Sequence, residues 1–185
     1  MLPAENTDPT VLEEYWTMAD VIIRKATNED TAAVGRLGAL LLRVHYAFDP
    51  DRFMRPGDDA EEGYAWFLGT QLADADVLVL VAEDAGKIVG YLYAGIEPRN
   101  WKELRDEAGF IHDIVVSDEA RGRGVADGLM SAAVAWMKER GMPRVLLWTA
   151  TPNTTARRVF ERHGFRSTMI EMTKELPLAG RESRK

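Results

Sequence analysis

The chain contains no cysteine. That absence excludes disulfides, thiolate metal sites and a cysteine nucleophile together. Any acyl transfer it performs therefore cannot pass through a cysteinyl intermediate. Long apolar runs are missing too: none approaches the ~20 residues needed to cross a bilayer. The opening MLPAENTDPT is too polar for a signal peptide. An excess of positive charge is also lacking. The formal net charge is −7, which argues against a general nucleic-acid binder. These absences lead to the expectation of a cytoplasmic protein that engages neither nucleic acid nor membrane, and of a site that holds no metal.

What is present suffices for a folded domain. Hydrophobic residues make up 46% of the 185, enough for one full core. Residues 1–18 read as an N-terminal appendage, with a helix-compatible piece over Val11–Met18. The regular pattern occupies 19–176, and 177–185 is a charged tail. Val21–Arg24 reads as a strand. Thr27-Asn28-Glu29-Asp30 reads as a helix start, with a capping side chain and acids in the first turn. Val34, Leu37, Leu41, Leu42 and Val44 follow at helical spacing.

Residues 45–63 read as a polar loop, and Asp59–Leu72 as a second helix. Val77–Ala82 and Ile88–Ile96 flank the turn signal Asp84-Ala85-Gly86-Lys87 and predict an antiparallel hairpin. Phe110–Val116 is a further strand. A helix then runs to Arg140, stopped by Gly141 and Pro143. Arg144–Thr149 is a buried strand, Pro152-Asn153 opens a last helix, and Phe165–Leu176 gives one bent strand or two short ones. The order is mixed α+β around one sheet.

The stretch RGRGVA, residues 121–126, sits between a strand and a helix. Unpaired N–H groups and the dipole at a helix start favour anions. Gly122 and Gly124 allow close approach to the backbone, and Arg121 and Arg123 add positive charge. The chemistry is that of a phosphate site; the alternative is an ordinary glycine-containing connection with solvated arginines. A dinucleotide fingerprint fails, because its third place is Asp127 and Gly128 comes one residue late. A P-loop fails for want of a following Lys-Ser or Lys-Thr pair.

Arg121-x-x-Gly124-x-Ala126 resembles the R/Q-x-x-G-x-G/A pyrophosphate loop of the GNAT N-acetyltransferase superfamily. Asn153-x-x-Ala156-x-x-Val159-Phe160-Glu161-x-x-Gly164-Phe165 is similar to that family's N-x-x-A-x-x-L-Y-x-x-x-G-F helix and turn. The two motifs occur in the family's order, and the resemblance covers about Asp20 to Leu176. It implies a single domain with a central, mostly antiparallel, twisted sheet of six to seven strands. That sheet is splayed between the fourth and fifth strands and flanked by about four helices.

The same resemblance implies acetyl-CoA as co-substrate. Ile114, Val115 and Val116 would offer main-chain hydrogen bonds to the pantetheine arm. The N–H groups of Arg121, Gly122, Arg123, Gly124, Val125 and Ala126 would hold the pyrophosphate. Asn153 would face the arm, a role that can coexist with capping the helix after Pro152. The reaction implied is direct attack by a primary amine, which needs a proton acceptor.

Strand alternation puts Phe110, His112 and Ile114 on one face and Asp113 on the other. His112 stands nine residues before Arg121, a place where some members of the family carry an acid or histidine linked to proton removal. Its ordinary pKa suits that work. Asp113 could orient a neighbour or bind the amine; Glu83 and Glu97 are further base candidates. Phe160 stands where many members have the tyrosine that protonates departing thiolate. Phenylalanine cannot do so, and Tyr91 or Tyr93 could substitute.

The resemblance implies that 45–63 and 97–107 choose the acceptor; their aromatics and carboxylates suit a small cationic amine with an apolar body, the alternative being a solvated acidic loop with a few packing aromatics. Two functions remain open from sequence: an acetyl-CoA-dependent N-acetyltransferase, or a non-catalytic acyl-CoA-binding regulatory module. Either is compatible with a homodimer.

Overall fold

The computed structural model describes the backbone of residues 15–18 and all of residues 21–176. Among the described residues six strands form one sheet in sequential order: β1 (Tyr15–Met18), β2 (Val21–Lys25), β3 (Val77–Asp84), β4 (Lys87–Glu97), β5 (Ala108–Val116) and β6 (Val145–Leu147). The helices are α1 (Thr31–Phe48), α2 (Ala60–Gln71), α3 (Val125–Glu139) and α4 (Thr154–Arg162). β1 to β5 are antiparallel, and β6 joins β5 in parallel. A parallel neighbour needs a crossover, which α3 supplies. The β3–β4 turn falls where the sequence puts it. Ala85 and Gly86 have φ of 48° and 78°, the pair of positive values that a two-residue hairpin requires.

Each face of the sheet has its own core. On one face Val34, Leu37 and Leu68 of α1 and α2 pack on Val81, Tyr91 and Val115. On the other, Leu129, Met130 and Met137 of α3 and Phe160 of α4 cover Leu78, Leu80, Leu92 and Ile111. β3 is buried on both faces, which is why VLVLVA reads as an unbroken apolar run. α1 and α2 meet closely at two glycines. A Cβ on Gly38 would lie 2.2 Å from the Tyr64 ring, and one on Gly35 would lie 2.4 Å from the Glu61 carbonyl. The absent side chains let Tyr64 rest on the α1 backbone.

Several boundaries differ from the sequence expectation. Residues 15–18 are not helical; they form an edge strand, with Tyr15 opposite Arg24 and Met18 opposite Val21. Their YWTM composition suits a pleated edge better than a helix. Residues 11–14, the rest of the appendage and the tail 177–185 lie outside the described residues. α1 continues through Phe48 into the expected loop. No strand forms over 165–176. Met169, Ile170, Met172 and Leu176 are exposed there; their spacing does not alternate strictly, so no continuous apolar face draws the segment onto the sheet. Glu171 is instead held by the Arg52 guanidinium, with Nη2 to Oε2 at 2.9 Å.

Candidate active site

The sheet opens between β5 and β6, which are the fourth and fifth of the strands expected from sequence, since the edge strand β1 adds one to the count. β6 pairs with β5 only at Gly109–Val145, Phe110–Leu146 and Ile111–Leu147. Beyond Ile111 the β5 edge is free of that partner. At the same point β5 is bulged against β4. Tyr93 lies opposite Asp113, and the next residue, Ala94, lies opposite Ile111. His112 is the extra residue.

A bulge re-aims side chains, and this one corrects the alternation argument. Ile111 and Ile114 pack in the core under α3. Asp113 accepts a hydrogen bond from the Tyr91 hydroxyl at 2.9 Å, on the opposite face. His112 stacks on Tyr93 with ring centroids 4.8 Å apart, and on Phe110 at 4.8 Å. His112 therefore shares a face with Phe110, as expected. It also shares that face with Asp113 rather than Ile114.

The imidazole is the centre of a row of rings. Phe67 of α2 meets Tyr93 edge-on at 5.7 Å, and Trp148, just past β6, meets Phe110 edge-on at 5.2 Å. Trp148 is 75% exposed and Phe67 38%, so both ends of the row are open to solvent. The Tyr93 hydroxyl donates to Gln71 Oε1 at 3.3 Å. Gly95 of β4 leaves room beside the ring; a Cβ there would stand 4.0 Å from His112 Nε2.

Electrostatics divide His112 from Asp113. Burial lowers the His112 pKa below 6.5; Glu97 pulls it back up and the Arg105 charge pushes it down. His112 Nε2 lies 3.2 Å from Glu97 Oε1. Burial pushes Asp113 up to about 6, against the stabilising hydrogen bond from Tyr91 and the nearby His45. Glu83, the other sequence candidate for a base, is held by Arg24 at 2.9 Å and is thereby tied to the β2–β3 ladder.

The loop before α3 fits a pyrophosphate. Gly122 and Gly124 have φ of 75° and 80°, a left-handed conformation that disfavours other residues. The space on the Cβ side of Gly122 is open within 4 Å. Within the junction the Arg121 N–H bonds back to the Asp118 carbonyl at 3.4 Å, and the Gly128 N–H to the Gly124 carbonyl at 3.0 Å. The N–H groups of Val125, Ala126 and Asp127 belong to the first turn, which has no intrahelical acceptors. Arg121 pairs with Asp118 at 2.7 Å and Arg123 with Asp84 at 2.5 Å. Both guanidiniums stay partly exposed, at 58% and 43%.

Ile114, Val115 and Val116 lie on the freed part of β5, with Val115 buried toward α1 and Ile114 and Val116 half-buried toward α3. Asn153 caps α4, its Oδ1 accepting from Ala156 N at 3.1 Å. Phe160 is 7% exposed, within the core under α3 and α4.

Arg105 escaped the sequence analysis. It is 10% exposed, lies 3.6 Å from Glu97 Oε2 through Nη2, and bonds Glu103 at 2.6 Å through Nε. Nothing in a polar loop marks one arginine as buried. The only legible hint is its place among Glu97, Glu103 and Glu107. Among the described residues no cluster of His, Asp and Glu could hold a metal ion, and no helix is long and apolar enough to cross a membrane.

A splayed sheet with a glycine-containing loop at the start of the crossover helix is the arrangement that the resemblance to the GNAT superfamily implies, and comparison with known proteins agrees. The family model for the acetyltransferase (GNAT) family matches residues 40–165. A mycothiol acetyltransferase of Cellulomonas flavigena is 30% identical over 106 residues, covering 55% of this chain and 30% of that protein. The uncharacterized N-acetyltransferase YhfO of Bacillus subtilis is 28% identical over 146 residues, covering 77% of this chain and 88% of YhfO. The crystal structure of a predicted acetyltransferase with acetyl-CoA from Clostridium acetobutylicum superposes with a TM-score of 0.64 at 18% identity. That match covers 83% of this chain and 96% of the other. The chain thus spans under a third of the mycothiol enzyme and most of YhfO. It belongs to the GNAT acetyltransferase family, whose acyl donor is acetyl-CoA.

Proposed function

We propose that the chain is an N-acetyltransferase moving an acetyl group from acetyl-CoA to the primary amine of a small cationic acceptor by direct attack. The observation that carries this is the bulge in β5. It sets His112 beside the freed strand edge, with its ring fixed between Tyr93 and Phe110 and its Nε2 on Glu97.

Acetyl-CoA, when bound, supplies a thioester carbonyl as the electrophile. The residues that would hold it are the N–H groups of 121–126, the β5 edge over Ile114–Val116, and Asn153 and Phe160 beside the arm. An acceptor amine is mostly protonated at neutral pH, since an alkylamine has a pKa near ~10.4. His112, its pKa lowered by burial, is mostly neutral there and able to accept a proton. With Glu97 at Nε2, the neutral tautomer carries its hydrogen on Nε2 and leaves Nδ1 as the acceptor. The proton then arrives on Nδ1, and Glu97 stabilises the imidazolium. Asp113 offers a carboxylate on the same face to orient the ammonium. Phe67 and Trp148 give its carbon skeleton apolar walls.

The test is acetyl transfer to a panel of small amines by the wild-type chain and by His112→Ala, with acetyl-CoA affinity measured in parallel. Loss of rate with retained affinity supports the assignment. Equal rates remove it.

A second function, a non-catalytic acyl-CoA-binding module, is favoured by one observation. Phe160 sits in the core at the place where the resemblance implies a tyrosine, and a phenyl ring offers no proton to a departing thiolate. That function predicts acetyl-CoA binding without turnover on any amine. A cytoplasmic homodimer goes with either function. The exposed apolar side chains over 169–176 are surface that a second copy could cover, and sedimentation tests it.

A further inference from the structure

Glu97 divides its two oxygens between two partners. Oε1 meets His112 Nε2 at 3.2 Å, and Oε2 lies 3.6 Å from Arg105 Nη2. Arg105 is anchored on every side. Nε bonds Glu103 at 2.6 Å and Nη1 bonds the Pro98 carbonyl at 2.9 Å. Its backbone pairs with Asn100 in both directions, at 2.9 and 3.1 Å. Asn100 in turn accepts from Lys102 N at 2.9 Å and donates to Glu103 at 2.9 Å. At 10% exposure, Arg105 is far more buried than an isolated loop arginine needs to be. The loop from Pro98 to Asp106 is therefore folded around one guanidinium, and Glu97 is the only contact that guanidinium makes outside that loop among those described.

We propose that Arg105 is the positioning residue of this site: it holds one oxygen of Glu97 so that the other meets His112. The inference rests on the assignment of His112 above and adds the group that aims its carboxylate partner. The hydrogen bonds to Glu103 and to the Pro98 carbonyl fix the guanidinium plane and set Nη2 3.6 Å from Glu97 Oε2, as an ion pair rather than a hydrogen bond. Lysine keeps the charge but loses the two anchoring bonds together, so it cannot hold the charge at that place. The charged and titratable groups that meet or act on the imidazole are Glu97 and Tyr93 on β4 and Arg105 itself. Of these, Glu97 stabilises the protonated ring and Arg105 opposes it.

The test is Arg105→Lys, with His112 followed by NMR titration; the chain has three histidines, so the signals can be assigned by substitution. Because the charge is kept, its direct push on the ring stays. Because the fork is lost, Glu97 is released, and His112 titrates at lower pH, toward its value in Glu97→Gln. On the amine substrate kcat falls by roughly 10²-fold, the scale of a ~1 Å misplacement, while acetyl-CoA affinity is unchanged. In the double variant Glu97→Gln/Arg105→Lys, His112 titrates as in Glu97→Gln alone.

The proposal is overturned if His112 in Arg105→Lys titrates as in the wild-type chain, or if the two substitutions add. Should Arg105→Lys not fold, Glu97→Gln alone decides. An unmoved His112 titration there means that no relay exists. The titration needs no turnover, so a chain that shows the shift but acetylates no amine would sink the proposed activity and leave the Arg105 assignment standing.

Discussion

His112 and Asp113 are consecutive in β5, yet both lie on the face of the sheet that carries Tyr91 and Tyr93. In a regular strand they would point apart. The bulge at Tyr93–Ala94 removes that separation and puts an imidazole and a carboxylate on one face. Burial favours the neutral form of each, and so moves their pKa values in opposite directions, the imidazole's down and the carboxyl's up.

The pH profile should carry this signature. Activity needs His112 unprotonated, so kcat/KM is lost as pH falls through its pKa, which lies below 6.5. The acid limb should appear below that value. Glu97→Gln, by removing the charge that favours the imidazolium, should move it lower still. Because Asp113 itself titrates at about 6, initial rates across pH with a fixed amine are compared for both proteins carrying Asp113→Asn. An acid limb unmoved by Glu97→Gln counts against the His112–Glu97 couple.

Asp113 should leave a mark on stability. Its folded pKa, about 6, lies above its ordinary 3.8, so the folded state binds the proton more tightly than the unfolded chain. The resulting stabilisation is present below pH 3.8 and is lost as pH rises through 6. The full difference is on the order of 3 kcal/mol. Asp113→Asn should flatten the stability profile over that window and gain relative to wild type at pH 8. Urea unfolding at several pH values measures it, and parallel profiles for the two chains would contradict it.

Gly124 should separate cofactor binding from catalysis. Its φ is 80° and it precedes the first residue of α3, so a side chain there costs roughly 1–2 kcal/mol of backbone strain. Glutamate adds a negative charge where the pyrophosphate would lie. Gly124→Glu should abolish acetyl-CoA binding in calorimetry while the chain still unfolds cooperatively. Undiminished binding would mean that the loop is only a turn.

The close approach of α1 to α2 should be intolerant of added volume. Gly38→Ala puts a methyl 2.2 Å from the Tyr64 ring, and overpacking of this kind costs about 1–3 kcal/mol. Tyr64 faces Asp113 electrostatically, so the same substitution should disturb the acceptor side before the cofactor side. KM for the amine should change and acetyl-CoA affinity should not. Thermal unfolding and steady-state kinetics read the two effects separately.

Much of this architecture is legible in sequence because local signals agree with the tertiary result. Asp84-Ala85-Gly86-Lys87 makes the hairpin it announces, Thr27 and Asp30 form a reciprocal cap, and RGRGVA occupies the junction from strand to crossover helix. The failures come where local pattern is silent. The bulge at His112 arises from mismatched strand pairing, which alternation alone cannot show, so alternation misplaces both neighbours: it groups Ile114 with His112 and sets Asp113 opposite. Glu97 is visible as a strand-end acid, but its union with His112 depends on the same bulge. Arg105 is buried by its own loop, through contacts no periodicity encodes. Residues 165–176 carry strand-forming types without a strict period, and they lie on the surface unpaired.

The most direct test follows from the missing cysteine. Because the chain has no thiol, a thiol reagent reports only coenzyme A released from acetyl-CoA. The measurement is amine-dependent thiol release by the wild-type chain and by His112→Ala, each with its acetyl-CoA affinity. The account predicts release by the wild-type chain, a loss of about 10²–10⁴-fold in His112→Ala, and equal affinities. Undiminished release by His112→Ala, or tight binding with no release by either protein on any amine, would contradict it.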